Sequence, residues 1–197
     1  MWKQGETRTE EEVLEIHRLA LLGKKGEIAS TVGIVLTLKW INTSRFRETL
    51  HLCKSTLNIV ESYEILTNLA RSEQELGNIE QAQQDYQQAL ELCPATDEIV
   101  KAKIIHNLAS IYANTGKIED AIALYQQSLE ITESIGNIQG QAATLAMLGQ
   151  LLAYNKGDFV TALEYLQMSL EILQRIQSPN AETVRGIIND VQQIANG

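Results

Sequence analysis

Three observations point to an all-α fold, a solenoid of about ten helices stacked as antiparallel hairpins. A phrase is written three times, as LARSEQELGNIEQAQQDYQQALEL from Leu69, LASIYANTGKIEDAIALYQQSLEI from Leu108 and LGQLLAYNKGDFVTALEYLQMSLEI from Leu148. Its fixed points recur regularly: Gly77, Gly116 and Gly157 follow one another at a period of roughly 40 residues, as do Ala82, Ala121 and Ala162. The chain has only two prolines and almost no alternation of apolar and polar residues, so strands find little support.

Residues 1–60 read as helical, but in two registers. Cys53 precedes Cys93 by one such period, and ETLHLCK aligns with QALELCP, which makes residues 44–59 the second helix of a degenerate repeat and 27–40 its first. LALLGKKGEIAST from Leu19 aligns equally well with LARSEQELGNIEQA, which makes 27–40 a second helix instead. In either register Val13, Ile16, Leu19, Val32, Val35, Leu36 and Leu38 call for burial.

The three copies span about 63–96, 102–135 and 142–176, within a repeat region of 61–177. In the first, Leu66, Leu69, Ala70 and Leu76 form one apolar stripe, and Ile79, Ala82, Tyr86, Ala89 and Leu90 another, at helical steps of three and four. Gly77-Asn78 between them is a helix stop, because glycine takes the left-handed conformation just past the last turn. Gly116-Lys117 and Gly157-Asp158 repeat the device. Ala70 and Ala82 let the paired helices approach closely. Pro94, lacking a backbone N–H, suits the turn after the second helix.

Residues 178–197 read as a terminal cap. Asn180 suits the N-cap of a helix from Ala181, and Val184, Ile187, Ile188, Val191 and Ile194 form one apolar stripe opposite Arg185, Asn189, Gln192 and Gln193. Such a helix closes the open core of a stack.

The three copies resemble the tetratricopeptide repeat family. The likeness runs through Leu69, Ala70, Gly77, Ala82, Tyr86, Ala89 and Pro94, then Leu108, Ala109, Tyr112, Gly116, Ala121, Tyr125 and Leu129, then Leu148, Gly149, Gly157, Ala162 and Leu170. The third copy departs by one extra residue before Gly157 and by Leu166 in place of the large aromatic. The long period resembles the long-helix variety found in kinesin light chains, and the Gln-rich second helices resemble bacterial and cyanobacterial members. The resemblance implies a right-handed α-solenoid and a non-enzymatic scaffold or adaptor that holds a peptide or helix of a partner protein in its concave groove.

Carried over position by position, the groove residues are Glu64, Thr67, Asn68, Arg71 and Glu75, then Lys103, His106, Asn107, Ser110 and Asn114, then Ala143, Met147, Gln150 and Tyr154. Asn68 and Asn107 precede the Leu-Ala pair at equivalent sites and resemble a clamp on a peptide backbone, an amide being both donor and acceptor. As clamp residues they are expected to stay out of the core. Arg71 and Lys103 are the cations of this set and would favour an acidic segment of the partner. The cationic cluster by which some family members capture a chaperone C-terminus is missing from Thr67, Arg71, His106, Ser110, Ala146 and Gln150. An assembly chaperone is the alternative reading. Homo-oligomerisation through the N-terminal helices, as in a sensor arm, is a third; for the partner itself, the rival to the groove is the convex or N-terminal surface near Trp2, Trp40 and Phe46.

Composition narrows the function further. Residues 1–60 hold nine Lys/Arg against seven Asp/Glu, whereas residues 61–197 hold seven against eighteen. A partner made of nucleic acid needs a basic stripe that the repeats lack. His17, His51 and His106 stand alone, with no metal-ligand spacing. The glycines sit at helix ends instead of in phosphate loops. The expectation is a chain with no enzymatic activity, cofactor or metal. No apolar run is long enough to cross a bilayer, and no hydrophobic stretch follows a basic start, so no membrane insertion and a cytoplasmic location are expected. Cys53 and Cys93 are expected as free, mostly buried thiols.

Overall fold

The computed structural model describes residues 8–196. Ten α-helices and no strand occupy the described residues: α1 Glu10–Leu22, α2 Gly26–Asn42, α3 Phe46–Leu57, α4 Tyr63–Glu75, α5 Ile79–Leu92, α6 Glu98–Asn114, α7 Ile118–Ser134, α8 Ile138–Leu151, α9 Phe159–Arg175 and α10 Asn180–Asn196. A π-helical turn, Leu152–Lys156, prolongs α8. The helices gather into two compact units that part between Leu92 and Cys93.

One joint is used six times. The backbone N–H groups of Lys25, Arg45, Asn78, Lys117, Asn137 and Ser178 donate to the carbonyls of Ala20, Trp40, Glu73, Tyr112, Thr132 and Leu173, each at 2.8 Å and each five positions back. This closing bond needs a left-handed residue just before the donor. Gly77, Gly116 and Gly136 supply it at φ 83°, 79° and 67°. A Cβ on any of the three would meet nothing within 4 Å, so the backbone angle, not crowding, selects glycine there. Lys24, Ser44 and Gln177 hold the same position at φ 51°, 58° and 53°.

In the first unit α2 packs along α1, α3 and α4, and α4 packs on α3 and α5. Contact of α2 with both members of the α3–α4 pair makes it a first helix. This supports the register with 27–40 as first helix and 44–59 as second. Val32, Leu36, Trp40 and Leu52 are buried with Val13, Leu14 and Ile16 against them, while Cys53, Ile65 and Leu69 form a second cluster. Gly33 lets α2 settle close, since a Cβ there would stand 3.2 Å from Ile65 Cδ1. The burial expected from the sequence is only partly met. Val35 and Leu38 are 62% and 41% exposed, because α2 turns Ala29, Val32 and Leu36 inward, and Leu19 is 53% exposed, because α1 turns His17 and Ala20 inward.

Charge pins the start of this unit. The Glu10 carboxylate accepts from Lys39 Nζ at 2.9 Å, Trp40 Nε1 at 3.1 Å and Arg45 Nη1 at 2.6 Å. The Arg45 bond, then those from Lys39 and Trp40, hold its pKa down at about 2. Thr9 and Glu12 form a reciprocal cap at the first turn of α1.

The second unit pairs α6 with α7, α8 with α9, and α9 with α10. Tyr125 and Leu166 are fully buried. Gly149 stands where the other copies have Ala70 and Ala109. A Cβ on Gly149 would come within 2.7 Å of Leu166 Cγ and 2.9 Å of the Ala162 carbonyl, so here crowding selects glycine. Ser128 Oγ donates to the Ala102 carbonyl at 3.0 Å, and Ser169 Oγ donates to that of Ala142 at 2.7 Å, tying second helix to first in both hairpins. The extra residue of the third copy has a physical place: the joint after α8 bonds Asp158 N–H to the Leu152 carbonyl, six positions back, and the added residue widens one turn from α to π.

At the C-terminal end α10 covers Leu166, Leu170 and Leu173 with Ala181, Val184, Ile188 and Val191. Its start differs from the sequence expectation. The helix begins at Asn180, and Ser178 caps it, its Oγ accepting from Asn180 N–H at 3.3 Å and its carbonyl from Ala181 N–H at 3.2 Å. Neither cysteine forms a disulfide; Cys53 is buried, but Cys93 is only half-buried. Trp2 lies outside the described residues.

Candidate functional site

The expected groove residues fall in both units, and their environments differ. On α4 of the first unit Thr67 and Asn68 are buried, at 2% and 3% exposure. Thr67 Oγ1 donates to the Tyr63 carbonyl at 2.7 Å. Asn68 Nδ2 donates to Thr37 Oγ1 at 2.9 Å, and that hydroxyl donates to the Gly33 carbonyl at 2.8 Å. This corrects the expectation that Asn68 stays out of the core: its amide is a bond between α2 and α4. Glu64, half-buried, accepts from Ser62 Oγ at 2.9 Å. Arg71 is half-buried and Glu75 exposed.

On α6 of the second unit Lys103, His106, Asn107 and Ser110 are half-buried and Asn114 is exposed. Steps of three and four put them along one stripe of the helix. On α8 the matching stripe carries Ala143, Met147 and Gln150, with Tyr154 in the π-helical turn at 50% exposure. Gln150 Nε2 reaches the Ala146 carbonyl at a long 3.4 Å.

A part-buried bond joins these two helices. His106 Nδ1 and Thr144 Oγ1 lie 3.0 Å apart, and the imidazole stands edge-on to the Tyr125 ring, centroids 5.2 Å apart at 67°. Burial pushes the His106 pKa down to about 4, so the ring is neutral at physiological pH. Burial also raises the Tyr125 phenol to about 12. Next to His106 in the chain, the buried Nδ2 of Asn107 meets no acceptor among the described residues. An amide donor without a partner is costly, and a ligand carbonyl would satisfy it.

The face of α6 and α8 is therefore rich in amides and hydroxyls with little charge. Thr144 was not among the residues expected from the sequence, and its signal was its place one turn before Met147. Sequence reasoning also missed the exposed apolar line of Ile28, Val35 and Leu38 on α2, whose signal was apolar residues on two sides of one helix. Among the described residues no cluster of His, Cys, Asp or Glu is placed to hold a metal ion, and no helix is long and apolar enough to cross a membrane.

Comparison with known proteins bears on the family and the fold. The family model described as Tetratricopeptide repeat matches residues 61–134 and 100–175. No curated protein sequence matches the chain. Among solved structures, BtubC (BKLC) from P. vanneervenii superposes with a TM-score of 0.75 at 22% identity, over 94% of this chain and 81% of that one. The kinesin light chain TPR-like repeats of Podosopora anserina give 0.66 at 18% identity, over 87% and 88%. MamA gives 0.60 at 16% identity, over 85% and 95%. These likenesses place the fold in the α-solenoid class expected from the sequence.

Proposed function

Since the chain belongs to the tetratricopeptide repeat family, we propose that it is a non-enzymatic scaffold that grips a partner peptide by its main chain. The face of α6 and α8 in the second unit is the gripping surface. The observation that carries this reading is Asn107, whose buried Nδ2 lacks an acceptor among the described residues. A peptide carbonyl supplies one, and Ser110, Asn114 and Gln150 offer further hydroxyl and amide groups along the same stripes. Recognition through the main chain tolerates many side chains, which suits an adaptor. Lys103 on this helix favours a partner with an acidic segment.

The test is selection of binding peptides from a random displayed library against the full chain, followed by titration of the best binder. Asn107→Ala is expected to weaken binding by roughly threefold to tenfold, the worth of one hydrogen bond, with little change in melting temperature. Asn68→Ala is expected to lower the melting temperature instead. Unchanged affinity in Asn107→Ala would remove the α6–α8 face from consideration.

A second reading, homo-oligomerisation through the N-terminal helices, is favoured by Leu22 and Val35, which are 69% and 62% exposed. Sedimentation of the wild type and of Val35→Asp tests it: equal, monomeric masses would end it.

A further inference from the structure

We infer that the cleft between α1 and α3 is a separate docking surface, shaped for an amphipathic helix of a partner protein that bears opposite charges on its two flanks. The cleft lies wholly within the first unit and involves none of the α6–α8 residues, so it stands or falls independently of the proposed grip at α6 and α8.

Its dimensions are those of a helix seat. α1 and α3 run in the same direction with their starts held together by the Glu10–Arg45 ion pair, 2.6 Å long. Between them lies an open trough of about 960 Å³. A helix is roughly 10 Å across, so three to four turns lying half-sunk displace on the order of 800 Å³. The floor is apolar: Leu14 and Leu21, one heptad apart on α1, with Trp40 and Leu52. Trp40 is fixed in place, its indole N–H bonded to Glu10 and the Arg45 guanidinium 4.5 Å from the ring centre. His17, buried on the α1 side, is already bonded to Thr56 Oγ1 at 2.9 Å. His51 and Ser55 of α3 also line the trough, the Ser55 hydroxyl donating to the Leu52 carbonyl at 2.8 Å, and its apolar floor suits an aliphatic stripe better than a small polar ligand.

The walls choose the occupant's charges. Arg18 is held by Glu15, and Arg45 by Glu10 and Glu48, so those charges are balanced within the protein. Glu11 on α1 and Arg47 on α3 are exposed and held by no hydrogen bond among the described residues, while the Arg47 charge acts through space on its neighbour Glu48. They sit near the starts of two parallel helices, on opposite walls at one end of the trough. A nucleic acid would meet the acidic wall unfavourably. A helix with a basic residue toward Glu11 and an acidic residue toward Arg47 meets both.

The experiment uses the full chain carrying Trp2→Phe, so that Trp40 alone reports. Three stapled peptides of about 14 residues share one leucine stripe. Their flanks carry lysine and glutamate, lysine on both sides, or glutamate on both sides. The mixed peptide is expected to bind and shift Trp40 emission, about tenfold more tightly than either of the others. Arg47→Glu makes both walls acidic and is expected to move the preference to the lysine-flanked peptide. Glu11→Lys is expected to move it to the glutamate-flanked one. Both positions are exposed, so neither substitution threatens the fold. Absence of saturable binding, or a rank order that these two substitutions leave unchanged, overturns the proposal. So does a wild-type dimer that Leu21→Asp dissolves, which would assign the trough to a second copy of this chain.

Discussion

Gly149 and Glu73 show how single residues constrain this chain. Gly149→Ala adds one methyl group directly against the Ala162 carbonyl, which backbone geometry prevents from yielding. The substitution is expected to cost about 1–3 kcal/mol, read as a drop in melting temperature, although the equivalent positions in the other copies are alanine. Glu73 is 1% exposed between α3 and α5. Its Oε1 meets Lys54 Nζ at 3.1 Å, and its other oxygen faces the carboxyl of Asp85, itself held by Gln81 Nε2 at 3.0 Å. Neither Glu73 Oε2 nor Asp85 Oδ2 has another partner among the described residues, an arrangement that a shared proton satisfies. Burial first, then the bond to Asp85, pushes the Glu73 pKa from 4.5 up to about 7, against the opposing pull of Lys54. The folded state thus holds a proton that the unfolded chain has released, and stability falls as pH rises from about 4.5 to 7. Denaturant unfolding of wild type and Glu73→Gln across this window checks it: the stability difference between them should change with pH in the direction of relative loss by the wild type. A difference independent of pH would place the proton elsewhere.

At the scale of the helix and its joints, the six repeated bonds explain what the sequence disclosed and what it hid. Where glycine supplies the left-handed residue, at 77 and 116, the hairpin was legible from spacing alone. Where Lys24 and Ser44 supply it, the joint lacked its marker, and the N-terminal third admitted two registers. Those two residues are held in a conformation that glycine adopts more readily. Ser44→Gly is therefore expected to raise stability by about 0.5–1 kcal/mol, less than the full left-handed penalty because glycine also loosens the unfolded chain. Calorimetry of the variant decides it. Helix surfaces were less legible than helix ends. Asn68 and Asn107 precede the same Leu-Ala pair, yet one is sealed by Thr37, far back in the chain on α2, and the other keeps an open donor. No local pattern carries that distinction, because it depends on what another helix brings against each site.

At the scale of the molecule, a stack of hairpins has no central core, and its ends must be closed. α10 closes one: it lays four buried side chains over Leu166, Leu170 and Leu173. Removal of residues 180–197 would return these leucines to water. The truncated chain is expected to melt earlier and to aggregate in light scattering, whereas an unaffected melt would show that α10 is dispensable. The apolar stripe of this helix was plain in the sequence, since it needed only the helical period. The α1–α3 trough was not, because it depends on the distance between two parallel helices, and no residue pattern within either helix states that distance.

The widened turn at Leu152–Lys156 bears on how such a chain can evolve. An added residue is absorbed inside a single turn, and α9 and α10 beyond it still pair with their neighbours. An insertion there therefore needs no matching deletion elsewhere, and selection sees only a local change in what the turn displays, here Tyr154. The interval from Gly116 to Gly157 is 41 residues against 39 from Gly77 to Gly116, and one of the two added residues is the one that the widened turn absorbs.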